Sequence, residues 1–300
     1  MDVERRDGCP VCRSANSTEL LSLPFATSPV ADYLRRHYDG RLDPDELGTA
    51  RYSLDACGTC GLIFQREVLG AAGLRRLYGE LAAHDRAAIE SRRGLDVRTE
   101  YAGQVEQLIR LAGREPSELS VLDFGAGLGM WLDMAAGFGC RVAACELEGP
   151  AAGAVEASRH VTLDLDALEP SSFDIVNAEQ VVEHLVDPAG VLGALARSLR
   201  PGGVLRVAVP DGTGVRARLA SLDWNAPKGA AASVEPVAPL EHVNCFDRSS
   251  LLRLGREAGL EPVSVPLRVL RRPSVRLNEL VRALRERVRP LPTVQLFRRA

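Results

Sequence analysis

What the sequence lacks narrows the reading first. Although 46% of the residues are hydrophobic, no apolar run approaches the ~20 residues that a membrane-spanning helix needs. The opening Met-Asp-Val-Glu-Arg-Arg-Asp carries charge where a secretory leader has its apolar core, so a cytoplasmic location is expected. There is no basic excess: a formal charge of -3 and a pI near 6.0 argue against a chain that binds nucleic acid along its length. No internal repeat or long low-complexity tract is present. Only the Ala- and Pro-rich stretch 229–239 reads as a mobile loop. Within 300 residues, this leaves room for one catalytic domain of ordinary size and a small appendage.

Seven cysteines in an intracellular chain are not a disulfide framework. Four fall in two pairs, Cys9-Pro-Val-Cys12 and Cys57-Gly-Thr-Cys60-Gly. Each C-x-x-C turn points two thiolates and nearby amides at one point, half of a tetrahedral four-cysteine zinc centre. A redox pair is the competing reading, disfavoured because two such pairs flank one small segment. With all four positions taken by sulfur, the metal is structural. The 44 residues between the pairs must carry structure of their own, and Leu20 to Leu34 and Tyr52 to Ala56 are candidate strands or a short helix.

The most informative segment is Val121-Leu-Asp-Phe-Gly-Ala-Gly-Leu-Gly129, with Glu146 at the end of the next apolar run. It reads as a strand, a glycine-rich turn and a helix, then a strand with an acid at its tip. Glycines let the backbone turn sharply and meet a ligand directly, and a carboxylate suits the two hydroxyls of a ribose. The spacing is G-x-G-x-G rather than the dinucleotide G-x-G-x-x-G, and Asp123 would repel a diphosphate but could accept from an ammonium. A nicotinamide-dependent oxidoreductase is therefore the less favoured reading.

This segment resembles motif I of the class I S-adenosylmethionine-dependent methyltransferases. The resemblance continues through Phe173-Asp-Ile-Val176, Glu183-His-Leu-Val-Asp-Pro188, Leu199-Arg-Pro-Gly-Gly203, the strand Val204 to Pro210, and Glu241-His-Val-Asn-Cys-Phe246 before a Ser-initiated helix. It covers roughly residues 95 to 267. It implies a doubly wound, Rossmann-like α/β sheet with S-adenosylmethionine as cofactor. Asp123, Phe124, Gly125, Ala126, Gly127 and Gly129 would hold its methionine end, and Glu146 with Leu147 its ribose. Glu179 joins the expected cofactor set. For adenine, Asp164 can accept from the exocyclic amine while Leu165 packs on the ring, with Asp166 as the competing acid.

Paired with that domain, the N-terminus is similar to the zinc-binding module of the methyltransferases that C-methylate nucleotide-linked deoxysugars in antibiotic pathways. Cys57-Gly-Thr-Cys60-Gly-Leu-Ile-Phe-Gln65 and Leu23-Pro-Phe-Ala-Thr-Ser-Pro-Val-Ala31 carry that likeness. A second comparison is with the ubiquinone-biosynthesis O-methyltransferases, whose E-x-x-E-H segment binds a divalent cation. Here Gln180 stands three before Glu183, so an amide replaces one carboxylate and no second metal is expected.

Methyl transfer from a sulfonium needs alignment of the acceptor, exclusion of water and removal of a proton. His242, His184 and Asp211 lie where strand ends and following loops face the crevice, and a histidine is neutral near physiological pH. His242 is the first candidate base and His184 the second, with Asp211 capping or orienting.

The expected organisation is a zinc module over 1–68, a helical connector or cofactor lid over 69–118, the cofactor-binding domain over 119–267 and a basic amphipathic tail over 268–300. From Leu267 onward there are ten arginines and two glutamates, with Leu277, Leu280, Val281, Leu284 and Val288 at helical intervals. That tail could dock on the chain, hold an anionic substrate or touch a membrane. The functional reading is methyl transfer to a small molecule, a sugar nucleotide or glycosylated natural product. The alternatives are an O-methyltransferase of another secondary metabolite and a zinc-ribbon interaction protein with a vestigial nucleoside-binding domain.

Overall fold

The computed structural model describes residues 1–81, 83–146, 161–228, 230, 232–266, 269 and 294–300, apart from the side chains of 83–96 and 161–162. The N-terminal part is built from β1 (Val3–Arg5), β2 (Ser17–Pro24), α1 (Val30–His37), β3 (Arg51–Cys57), β4 (Ile63–Gln65) and β5 (Glu67–Leu69). The connector is helical, as its apolar spacing predicts: α2 (Ala71–Arg76), one wider π turn (Leu77–Leu81) and α3 (Ala83–Ala112).

Next come β6 (Ser120–Phe124), α4 (Met130–Gly137), β7 (Arg141–Cys145), β8 (Val161–Leu163), β9 (Phe173–Glu179), α5 (Pro188–Ser198), β10 (Leu199–Ala208), α6 (Val215–Arg218), β11 (Asn244–Cys245), α7 (Arg248–Glu257), β12 (Leu260–Val263) and β13 (Val294–Arg299). Seven of these strands make one sheet, ordered β12-β13-β10-β9-β6-β7-β8. The five from β10 to β8 run parallel, and β13 is antiparallel to both β10 and β12. From β6 the chain fills the sheet outward through β7 and β8, then crosses back to β9 and β10. The switch point between β6 and β9 opens a crevice at the strands' carboxyl ends, where ligands bind in folds of this type.

Alternation along each strand assigns side chains to two buried layers. Val121, Ile175, Val204 and Leu296 pack with Val105, Leu108 and Trp131 of α3 and α4. Their neighbours Leu122, Val176, Leu205 and Phe297 pack with Leu192, Leu195, Leu251 and Leu254 of α5 and α7. Both faces are thus covered, which is why these strands read as largely apolar runs. Capping follows local chemistry: Asp187 accepts from the Gly190 amide ahead of Pro188, and Asp247 accepts from the Ser250 amide. The last helix therefore starts from Asp247, with Ser250 completing the box, rather than from a serine.

Two expectations change. The end of the stretch read as a tail forms β13, held because Leu296 and Phe297 fill the opposite layers; the helical pattern at 277–288 lies outside the described residues. The stretch read as a mobile loop packs Val234, Val237 and Ala238 inside. Val237 belongs to a second core with Phe25, Leu34, Tyr38, Tyr52 and Leu240. β11, which lies between β10 and β12 in the chain, completes the N-terminal sheet in the order β11-β4-β3-β2. The N-terminal part is therefore woven into the rest by shared strands and shared core. Among the described residues no helix is long and apolar enough to cross a membrane.

Candidate active site

The turn after β6 takes the backbone through Gly125, Gly127 and Gly129, with φ of 73°, 58° and 74°. These are left-handed conformations that favour glycine. At Gly125 space is decisive as well, since an added Cβ would lie 2.7 Å from Val181 Cγ2. The turn is tied to the next strand by the Gly125 amide, which donates to the Cys145 carbonyl at 2.8 Å. The Gly127 amide donates to Glu146 Oε2 at 2.7 Å. Glu146, one residue beyond β7, is thereby fixed against the turn. Leu147 lies outside the described residues.

Asp123 sits directly beneath this turn, 3% exposed. Asn177 Nδ2 donates to its Oδ1 at 2.7 Å, and Arg206 Nη1 donates to Asn177 Oδ1 at 2.9 Å and to the Glu179 carboxylate. Burial pushes the Asp123 carboxyl up to about 7; the Asn177 hydrogen bond opposes this, Glu179 and Glu146 add to it, and Arg206 opposes. Glu179, expected to bind cofactor, has its carboxylate engaged by Arg206. Asp164 is exposed and Leu165 half-buried in the short turn after β8.

On the other side of the crevice the two histidines meet, their ring centroids 4.8 Å apart and nearly perpendicular. His184 Nδ1 donates to the Glu241 carbonyl at 3.0 Å, and His242 Nδ1 to the Glu235 carbonyl. A carbonyl only accepts, so this network assigns a proton to Nδ1 in both rings, and His184 Nε2 lies 3.7 Å from Glu183 Oε1. Burial lowers the pKa of His242, against the pull of Glu241 and the Glu235 carbonyl, which keeps the ring neutral at pH 7. Tyr78 from the π turn places its hydroxyl 3.2 Å from His184 Nδ1. The Glu241 carboxylate is held by His37 Nε2 at 2.8 Å and the Tyr38 hydroxyl at 2.9 Å. Burial alone would raise its pKa, but the hydrogen bond from His37 holds it below the usual range.

Asp211 stands apart. It is exposed, and its Oδ1 accepts from the Thr213 amide at 2.8 Å, a local turn after β10.

The four paired cysteines converge. Cys9 Sγ lies 3.5 Å from Cys60 Sγ, and Cys12 Sγ 3.5 Å from Cys57 Sγ. All four sulfurs fall within 4.8 Å of one another. A zinc tetrahedron with bonds of about 2.3 Å has sulfurs about 3.8 Å apart, so the donor set fits the ion. The Thr59 and Cys60 amides donate to Cys57 Sγ, each at 3.4 Å. The knuckle packs into the layer containing Val182, Leu185 and Phe246. Arg6 stitches it further, donating to the Leu185 and Val186 carbonyls at 3.2 and 3.0 Å and to Asn244 Oδ1 at 3.1 Å.

The architecture defines a class: a Rossmann-like α/β domain with a glycine-rich turn after its first parallel strand and an acid after the second. The family model described as a methyltransferase domain matches residues 96–265, more than half of the chain. The chain belongs to that family. Among curated relatives, the ubiquinone biosynthesis O-methyltransferase of Burkholderia vietnamiensis is 31% identical over 34% of this chain and 46% of its own length. That of Thiobacillus denitrificans is 29% identical over 50% of this chain and 66% of its own. The chain spans about half the length of the first of these relatives. The solved 1,6-didemethyltoxoflavin-N1-methyltransferase of Burkholderia thailandensis aligns at 21% identity with a TM-score of 0.41, covering 73% of this chain and 91% of that one.

Proposed function

We propose that the protein transfers a methyl group from S-adenosylmethionine to a hydroxyl-rich small molecule, a sugar nucleotide or glycosylated natural product, with a structural zinc at Cys9, Cys12, Cys57 and Cys60. The observation that carries the reading is the pairing of Glu146 with the Gly127 amide above the buried Asp123. Glu146, held against the turn, offers its carboxylate to the ribose hydroxyls, while Asp123 supplies the negative charge that a ligand ammonium needs. The bound cofactor supplies an electrophilic methyl on a positively charged sulfur.

The chain's own part is acceptor binding and proton removal. His242 or His184 takes the acceptor's proton at Nε2 as the acceptor atom bonds to the methyl carbon and the carbon–sulfur bond breaks. Glu241 holds His37 and Tyr38 in place and offers a negative charge to the imidazolium that forms. A sugar-like acceptor is the reading that the N-terminal resemblance to sugar C-methyltransferases supports. The names of the curated relatives favour a second reading, transfer to a phenolic oxygen. The test is incubation with S-adenosylmethionine and two acceptor pools, sugar nucleotides and catechols, reading S-adenosylhomocysteine by mass spectrometry. Product with sugar nucleotides alone supports the first acceptor, product with catechols alone the second, and product with neither defeats both.

A further inference from the structure

Arg206 is an unusual residue for its place. It lies on β10, between β9 and β13 in the interior of the sheet, and is only 4% exposed. Burying a guanidinium is costly unless it is paired and its donors are used. Its neighbours in Val204-Leu-Arg-Val-Ala208 are all apolar, so nothing in the strand's packing asks for a charge.

The register explains it. Asp123, Asn177 and Arg206 stand side by side across β6, β9 and β10. They form a continuous row: guanidinium to amide at 2.9 Å, amide to carboxylate at 2.7 Å. Glu179, two residues along β9, takes another bond from the same guanidinium nitrogen. A guanidinium can only donate. It therefore forces Asn177 to turn its oxygen toward Arg206 and its NH2 toward Asp123. Without that constraint the amide could rotate and present its oxygen to the carboxylate, a repulsive contact.

Charge adds a second consequence. Asp123 and Glu179 carry two negative charges against one guanidinium, leaving an excess of one beneath the glycine turn, with Glu146 adding another at the rim. That balance suits a cationic ligand group once Asp123 is ionised; without Arg206, repulsion from Glu179 and Glu146 would favour the protonated Asp123, which has no charge to offer. The groups facing Asp123 are Asn177 and Glu179 from β9, Glu146 beyond β7 and Arg206 from β10.

We propose that Arg206 is a positioning residue, acting through Asn177 to orient and keep ionised the Asp123 carboxylate that receives the cofactor's α-ammonium. The inference rests on the cofactor reading given above. It makes Arg206 selective for one end of the ligand: the adenosine end, served by Glu146, does not depend on it.

The test compares two probes by calorimetry on the full chain: S-adenosylhomocysteine, which has the α-ammonium, and 5′-methylthioadenosine, which lacks it. In Arg206→Met, affinity for S-adenosylhomocysteine at pH 7 should fall about tenfold, and its acid limb should move up by about one pH unit. Affinity for 5′-methylthioadenosine should stay within about twofold, and Arg206→Lys should recover part of the loss. Asn177→Ala, which removes no charge, should show the same selectivity and serves if Arg206→Met does not fold. Equal losses for both probes, or no loss for either, would overturn the inference while leaving the cofactor reading intact. A wild-type chain that binds neither probe defeats the cofactor reading, and the inference with it.

Discussion

The Gly127 amide donates to Glu146 at 2.7 Å, so the glycine turn after β6 and the acid after β7 form one rigid rim. A carboxylate held this way keeps its orientation before a ligand arrives, and less ordering is needed on binding. Replacing Glu146 with Ala should weaken S-adenosylmethionine binding about 10- to 100-fold, the range for losing hydrogen bonds to a charged group. Isothermal titration of a variant whose circular dichroism matches wild type checks this; an unchanged Kd would remove Glu146 from the site.

Gly125 tests the steric side of the same rim. Gly125→Ala should cost about 1–3 kcal/mol through its backbone conformation alone, with more from the approach of its Cβ to Val181 at 2.7 Å. Adding Val181→Ala relieves the contact but not the backbone strain. The double variant should therefore recover part of the lost stability in urea melts, and full recovery would show that φ was not limiting.

Asp123 gives a pH dependence with a definite sign. Its pKa rises from 3.8 to about 7 on folding. The group therefore favours the folded state when protonated, and that contribution is fully present below about pH 4 and lost as pH rises through about 7. The difference is on the order of 4 kcal/mol for the cofactor-free chain. Cofactor binding should run the other way, strengthening as Asp123 ionises through neutral pH. Comparing wild type with Asp123→Asn isolates the group: the variant should lose this part of the fall in stability between pH 4 and 7, and parallel curves would contradict it.

The zinc prediction follows from shared packing. The cysteine knuckle lies in the same buried layer as Val182, Leu185 and Phe246, so it should not melt on its own. The purified chain should carry one zinc ion, and Cys57→Ser should lose it. A loss of about 3 kcal/mol in a chain of this size lowers Tm by roughly 5 °C. Scanning calorimetry should show one transition moving down; two separate transitions would mean that the knuckle is an independent appendage.

For the histidines, His242→Ala should lower kcat about 10²- to 10⁴-fold while leaving the Kd for S-adenosylmethionine near wild type. His184→Ala should show which ring is the base. If it is as inactive as His242→Ala, the pair acts as a unit; if only one variant loses turnover, that ring carries the proton.

Much of the fold could be read from the chain because its signals are local. The largely apolar runs of β6 and β9, the glycine spacing and the C-x-x-C pairs each specify structure within a few residues. What the sequence did not disclose depends on distant partners. Val294 to Arg299 looks like the end of a basic tail until β10 and β12 are seen on either side of it. His37 and Tyr38 meet Glu241 only because β11 joins the N-terminal sheet. Two such partnerships leave a trace in the chain. Asn177 and Arg206 interrupt otherwise apolar strands, and a polar residue in a buried strand calls for a partner across the sheet. Asp211 stands after β10 as expected, and its side chain accepts from the Thr213 amide in a local turn.

The central claim is that the crevice between β6 and β9 grips a sulfonium-bearing adenosine by its two ends. The most direct measurement is a calorimetric titration of the full chain with S-adenosylmethionine and, separately, with NAD. Saturable binding of S-adenosylmethionine, lost in Glu146→Ala and absent for NAD, is the predicted result. Equal or tighter binding of NAD, or S-adenosylmethionine binding untouched by that substitution, would contradict the account.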